Sequence, residues 1–374
     1  MAEASRYRRI VVKAGTTLLT GGKDRLDLEV MASLVGQAAR LHQQGVQVAV
    51  VTSGAVAAGR HLLNSARGDR DIAARQVLAA VGQGRLMGAY EQLFGQQGIT
   101  VAQALITRRD TMDRIGYLNI RNTLLALLER QVVPIINEND VVAVEELGEG
   151  AVFGDNDRLS ALVANLVDAD LLLLLGDIPG LYSADPHLDP DARLIPRVER
   201  VDAAIEAMAR GPLNVESRGG MATKVEAAKL ATASGVAVVI ADGRAPEVVL
   251  RLAAGEPLGT FFPPTSSKLE SRQRWMLSSL SRGELQIDAG AVEALKTKGG
   301  SLLPAGVRGV QGVFQRGDVV AIVDPQGQRV ACGIANYRAE EVEALKGARS
   351  DRIRALLGAY YGDEVVHRDN LVVL

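Results

Sequence analysis

Short apolar runs alternate with stretches of helical spacing along the first two-thirds of the chain. Residues 9–13, Arg-Ile-Val-Val-Lys, form a β-branched run too short for a helix, which predicts a strand buried on both faces. In 28–44 the apolar residues Val30, Leu34, Val35, Ala38 and Leu41 share one helical face, and Gly45 follows as a C-cap. Residues 46–51 give a second strand, 73–97 a helix, 100–106 a strand and 119–129 a helix. In the next strand, 132–136, Pro134 predicts an irregular start or a sheet edge. A helix over 159–167 precedes Leu171–Leu175, an all-leucine run expected at the centre of a two-faced sheet. Helices over 202–210 and 225–234 and a strand over 236–240 complete the series. This strand–helix alternation is the pattern of a mostly parallel α/β sheet covered on both faces, a three-layer αβα sandwich.

The pattern changes after Gly255. Residues 259–267, Gly-Thr-Phe-Phe-Pro-Pro-Thr-Ser-Ser, read as an extended connector. Short strands at 283–288, 306–313, 317–323 and 329–335, with a helix over 340–345, then describe a small β-barrel-like module. The expected organisation is a first domain at 1–258, a linker at 259–281, a second domain at 282–360 and a tail at 361–374.

Composition narrows the function classes. Of 374 residues, 47% are hydrophobic, enough for a large core, and only 3% are aromatic, which argues against a base-stacking platform. Lys plus Arg number 42 against 44 Asp plus Glu, a balance unlike that of a polyanion binder. Cys332 is the single cysteine, so no intramolecular disulfide forms, which fits a reducing compartment. The polar, basic start and the absence of a long apolar run give the expectation of a cytoplasmic protein without a membrane segment.

Candidate chemistry sits at the C-terminal ends of the strands, where open α/β sheets bind ligands. Lys13, Gly15, Thr16 and Thr17 at the C-terminal end of the first strand suit a phosphoryl group, with Gly15 allowing close backbone approach, and equally an ordinary surface lysine at a strand end. Ser53 and Gly54 follow the second and fit an anion site and an ordinary helix N-cap equally well. Asn137-Glu138-Asn139-Asp140 fits a ligand bearing an ammonium group, or a solvated turn. Asp155, Asn156 and Asp157 stand at a helix mouth, and Gly176-Asp177 follows the leucine strand. Arg218-Gly219-Gly220-Met221-Ala222-Thr223-Lys224 reads as an anion cradle before a helix, without Walker spacing. Gly82-Gln83-Gly84 nearly matches a dinucleotide fingerprint but lies in mid-helix and is set aside. Asp155-Asn156-Asp157 resembles part of a calcium loop, but the EF-hand spacing is absent, and no residue is assigned to a metal.

Taken together, the segments at 11–17, 51–59, 117–124, 136–140, 153–157 and 219–224 resemble the glutamate 5-kinase family of the amino-acid kinase superfamily. Ser301-Leu-Leu-Pro-Ala-Gly-Val307 is similar to a segment of PUA domains. The resemblance implies the amino-acid kinase fold, and phosphorylation of glutamate by ATP with Mg²⁺ at the start of proline biosynthesis. It implies that Lys13 and Lys224 contact the transferring phosphoryl group and that Asp157 orients them. Ser53, Gly54, Asp140 and Asn156 would then hold glutamate, with Asn139 and Asp155 nearby. Gly15, Gly176, Asp177 and 218–224 would bind ATP. It further implies proline as feedback inhibitor, a glutamyl phosphate reductase as partner, and a homo-oligomer. RNA is a partner of many PUA modules, but the charge and aromatic content argue against it here. Sister kinases acting on aspartate, N-acetylglutamate or a nucleotide share the fold, and segments 136–140 and 153–157 argue against them. Two departures stand out: Ser217-Arg218 replaces the family's usual Gly-Thr, and Gly176 stands where Thr or Ser is common.

Overall fold

The computed structural model describes residues 5–65, 72–143, 156–186, 188–210, 220–268 and 281–374, with the backbone alone at Met112 and Arg114. It divides into two compact units, Met1–Ser267 and Lys268–Leu374.

The first unit is built on seven strands: β1 Arg9–Ala14, β2 Gln47–Val51, β3 Val101–Ile106, β4 Val133–Glu138, β5 Leu171–Gly176, β6 Ala237–Asp242 and β7 Thr260–Phe262. Their order is β3-β4-β2-β1-β5-β6-β7, parallel throughout except for β7, which runs antiparallel to β6. Helices α1 Thr16–Thr20, α2 Leu28–Gln43, α3 Ala55–Leu63, α4 Ile72–Gly95, α5 Arg108–Met112, α6 Arg114–Glu129, α7 Asn156–Leu166, α8 Ala203–Arg210, α9 Met221–Ala233 and α10 Val248–Ala254 accompany it. The period-2 alternation of strand side chains separates two cores. Ile10, Val12, Leu171, Leu173 and Leu175 join the layer that holds α2, α4 and α10. Val11, Leu172 and Leu174 join the layer that holds α7 and α9. Every residue of β5 is buried, as its leucine run predicts.

Chain order reverses at β1, with β2 on one side and β5 on the other. That reversal opens a crevice beyond the carboxyl ends of the strands.

Four expectations are revised. β4 is an interior strand, and Pro134 is tolerated because pairing with β2 begins only at Ile135. The β4 ladder with β3 continues through Asn137 and Glu138, so these belong to the strand and not to a turn after it. The 259–267 connector contributes β7, whose Phe262 is buried in the core. In the second unit a five-stranded sheet ends in Leu371–Val373, so the supposed tail pairs with the strand Arg329–Ile334. That unit has its own core around Leu285, Ile322, Tyr337 and Val342.

Candidate active site

A cleft of about 300 Å³ opens at the β1 reversal. Lys13, Gly15, Ser53, Gly54, Asp140, Asn156, Asp157, Gly176, Asp177 and Lys224 all line it. Side chains 211 positions apart in sequence, Lys13 and Lys224, meet there on one carboxylate. Lys13 Nζ lies 2.5 Å from Asp157 Oδ1, and Lys224 Nζ lies 3.1 Å from Asp157 Oδ2. Thr223 Oγ1 donates to the same Oδ2 at 2.8 Å. Local structure makes this possible. Lys13 is the next-to-last residue of β1, Asp157 stands in the first turn of α7, and Lys224 near the start of α9. The two helices pack on each other, and both bring small residues to that core layer, Ala161 and Ala164 on one and Ala227, Ala228 and Ala231 on the other.

Asp157 is fully buried. Burial pushes its carboxyl upward, but the Lys13 and Lys224 ammonium groups, with the Lys13 and Thr223 hydrogen bonds, outweigh it and hold the carboxyl below the ordinary Asp value. The site therefore carries two cations on one anion, a net positive focus where charge on a transferring group collects. Glycine shapes the wall beside it. A Cβ at Gly15 would lie 3.5 Å from Lys13 Nζ, and one at Gly176 would crowd Lys224 Cε at 3.3 Å. Gly176 thus leaves the stem of Lys224 room.

The other end of the cleft is a hydrogen-bond network. Asn156 Nδ2 donates to the Thr52 carbonyl at 2.7 Å, Ser53 Oγ at 2.9 Å and Asn137 Oδ1 at 3.0 Å. Asn156 Oδ1 is buried with no partner among the described residues. Gly54 starts α3 at φ 99°, a left-handed conformation that favours glycine. Asp140 is pushed above the ordinary Asp value by burial, against the opposing pull of Arg75. Beneath them, Thr52 Oγ1 and the Tyr90 hydroxyl pair at 2.8 Å, and burial pushes the Tyr90 hydroxyl up to about 12, so it stays protonated.

Asn139 does not line this cleft. It lines a neighbouring pocket of about 280 Å³ with Gln83 and Gln103, and its carbonyl accepts from Val142 and Ala143 in a local turn. Gly220 caps α9, and Met221, Ala222 and Thr223 form its first turn. Asp155, Arg218 and Gly219 lie outside the described residues. The sequence reading passed over Arg60 and Arg75, which line the cleft, and named Asn137, which is 2% exposed, only as part of a polar run without a role of its own. The polar run at 137–140 was the signal for Asn137. Arg60 and Arg75 sit on helices with no local mark to separate them from surface arginines. Among the described residues no three His, Cys, Asp or Glu side chains cluster to hold a metal, and no helix is long and apolar enough to cross a membrane.

Comparison with known proteins bears on this cleft. The profile of the amino acid kinase family matches residues 8–242, and that of the PUA domain matches residues 283–357. The chain is similar to the glutamate 5-kinase of Dehalococcoides mccartyi strain ATCC BAA-2266, at 53% identity over 98% of this chain and 99% of that one. It is also similar to the glutamate 5-kinase of Herpetosiphon aurantiacus, at 52% identity over 98% of each chain. That of Deinococcus radiodurans is 48% identical over 98% of this chain and 100% of the relative.

Proposed function

Because this chain belongs to the amino acid kinase family, in its glutamate 5-kinase branch, we propose that it transfers the γ-phosphoryl group of ATP to the side-chain carboxylate of L-glutamate. The product is L-glutamyl 5-phosphate, at the first step of proline biosynthesis. One observation supports the residue roles above all: two ammonium groups from opposite ends of the domain share Asp157 inside the cleft that also holds Asn156 and Asp140.

The acceptor carboxylate has a reference pKa near ~4.3, so it is already ionised at neutral pH and needs no general base. The barrier is electrostatic, an anion approaching a polyanion. Lys13 and Lys224 neutralise the charge on the phosphoryl oxygens, and Asp157 fixes both lysines in line. Ser53, Gly54, Asn156 and Asp140 bind the amino acid. Asn156 Oδ1 and Asp140 accept from its ammonium group, while Arg60 and Arg75 supply positive charge for its α-carboxylate. Gly15, Gly176, Asp177 and 218–224 hold the nucleotide, and Asn139 supports Asp140 from the neighbouring pocket, with Asp155 beside the acceptor.

Mg²⁺ enters with the nucleotide. Both oxygens of Asp157 are engaged by the lysines and Asp140 is assigned to the amino acid, so of the carboxylates lining the cleft Asp177 would be the one to assist an ion held mostly by phosphates. When bound, the ion neutralises phosphate charge. We further assign a cytoplasmic location, inhibition by proline, delivery of the labile acyl phosphate to a glutamyl phosphate reductase, and a homo-oligomeric state. ADP release measured with L-glutamate, L-aspartate, N-acetyl-L-glutamate and UMP, with and without Mg²⁺ and proline, tests this reading. Release with glutamate alone among the acceptors supports it, and preference for another acceptor overturns it.

A further inference from the structure

The carboxamide of Asn156 has an orientation set by the Thr52 carbonyl, and Gln83 stands outside the cleft at the far end of the amide chain that continues from it. The Thr52 carbonyl can only accept, so the NH₂ of Asn156 must face it, 2.7 Å away. Asn137 Oδ1 accepts from the same NH₂ at 3.0 Å. That leaves Asn137 with its own NH₂ turned away, and this donates to Gln83 Oε1 at 2.8 Å. Gln83, Asn137 and Asn156 are therefore a one-way relay of amides. Its far end is Asn156 Oδ1, a buried acceptor in the cleft wall with no partner among the described residues. Were Asn137 to turn over, its NH₂ would meet the NH₂ of Asn156. The Thr52 carbonyl and Ser53 Oγ would still accept from Asn156, but two facing NH₂ groups at that distance repel, and the second amide would shift and carry Oδ1 with it.

Packing holds Gln83 at the right height. Its neighbour Gly82 touches α3 so closely that an added Cβ would lie 1.8 Å from the Ala55 carbonyl oxygen. Leu86 and Tyr90, further along α4, are buried in the core. The strand period carries Asn137 to the face of β4 that carries Ile135, toward the layer containing α4.

We propose that Gln83 is a positioning residue for the amino-acid site: through Asn137 it keeps Asn156 Oδ1 presented to the ammonium group of the substrate. This rests on the glutamate reading above and deepens it. A half-buried glutamine on a helix would otherwise be exchangeable for methionine, which has a similar length and no acceptor oxygen.

The test is a double-mutant cycle on the full chain, with Gln83→Met, Asn156→Ala and the pair, reading KM for glutamate and for ATP. Gln83→Met is expected to raise glutamate KM about tenfold, the size of one lost hydrogen bond to a charged group, with ATP KM within about twofold. In the Asn156→Ala background the same change should add less than about twofold, because its target is gone. An unchanged glutamate KM in the single variant, or a full additive effect on Asn156→Ala, overturns the proposal. If Gln83→Met does not unfold cooperatively, Gln83→Ala replaces it under the same criteria. A wild-type chain without glutamate-dependent ADP release would sink the acceptor assignment and this proposal together. An additive cycle in an active wild type sinks the proposal alone.

Discussion

Asp157 is the residue on which the two lysines depend, and its chemistry predicts an uneven response to substitution. Removing its carboxylate leaves two buried ammonium groups facing each other, a loss of roughly 3–5 kcal/mol for a broken buried pair. Asp157→Ala should therefore abolish turnover and lower Tm together, as activity and thermal unfolding measured side by side will show. Lys13→Ala and Lys224→Ala each leave Asp157 with one partner, and should lower kcat by about 10²–10³ with smaller changes in glutamate KM. A loss confined to glutamate KM would contradict their role. Because the folded pKa of Asp157 is depressed, the stability it contributes is present above its unfolded value and is lost as pH falls through the lower folded one. Asp140 has the opposite sign. Its folded pKa is raised, so its ionisation costs stability as pH rises, while substrate ammonium needs it ionised. Asp140→Asn should raise glutamate KM at least about tenfold while leaving Tm at pH 7 unchanged or higher. In the wild type, glutamate KM should climb on acidification from a pH above the ordinary Asp range, and Asp140→Asn should flatten that climb.

At the scale of elements, the strands were legible because each apolar run is bounded by polar residues or glycine, and the all-buried β5 follows directly from five consecutive leucines. Helix starts were less so. Asn156 and Asp157 look like residues before α7, yet they are its first turn, because their side chains are held by tertiary partners and not by local capping. Lys224 likewise lies inside α9. The run from Asn137 is placed by the sequence after the strand, as a ligand site or a turn, although strand alternation puts Asn137 with Ile135 and hence toward Gln83. Gly82 and Gly84 show what sequence alone could not separate. Both are mid-helix glycines in a broken fingerprint, but a Cβ at Gly82 would strike the Ala55 carbonyl, and one at Gly84 would meet nothing within 4 Å. Gly59 faces the same crossing, with a Cβ position 1.9 Å from the Leu78 carbonyl oxygen. Gly82→Ala should thus cost about 1–3 kcal/mol as α3 and α4 are forced apart. Gly84→Ala should be neutral or gain up to about 1 kcal/mol of helix propensity. Denaturant midpoints of the two variants check this pair, and equal effects would mean the helices do not cross at Gly82.

For the whole molecule, the distribution of polar chemistry decides what each unit can do alone. Every cleft residue described, from Lys13 to Lys224, lies in Met1–Ser267. The sheet of that unit is closed at one side by β7, which pairs with β6 and buries Phe262, so the unit ends its own architecture at about residue 267. The second unit buries an independent set of side chains around Leu285, Ile322 and Tyr337, and its sheet is completed by its own last strand. Among the described residues each unit has a core of its own, and a unit with its own core can in principle fold alone. A chain cut after Ser267 is therefore expected to fold and to keep glutamate-dependent ADP release within about tenfold of the full chain. Calorimetry of the full chain should resolve two transitions, one of them matching the truncated form. Loss of folding in the truncated chain, or a single transition that disappears on truncation, would show that the second unit supports the first, and that the separation of the cores does not extend to their stability.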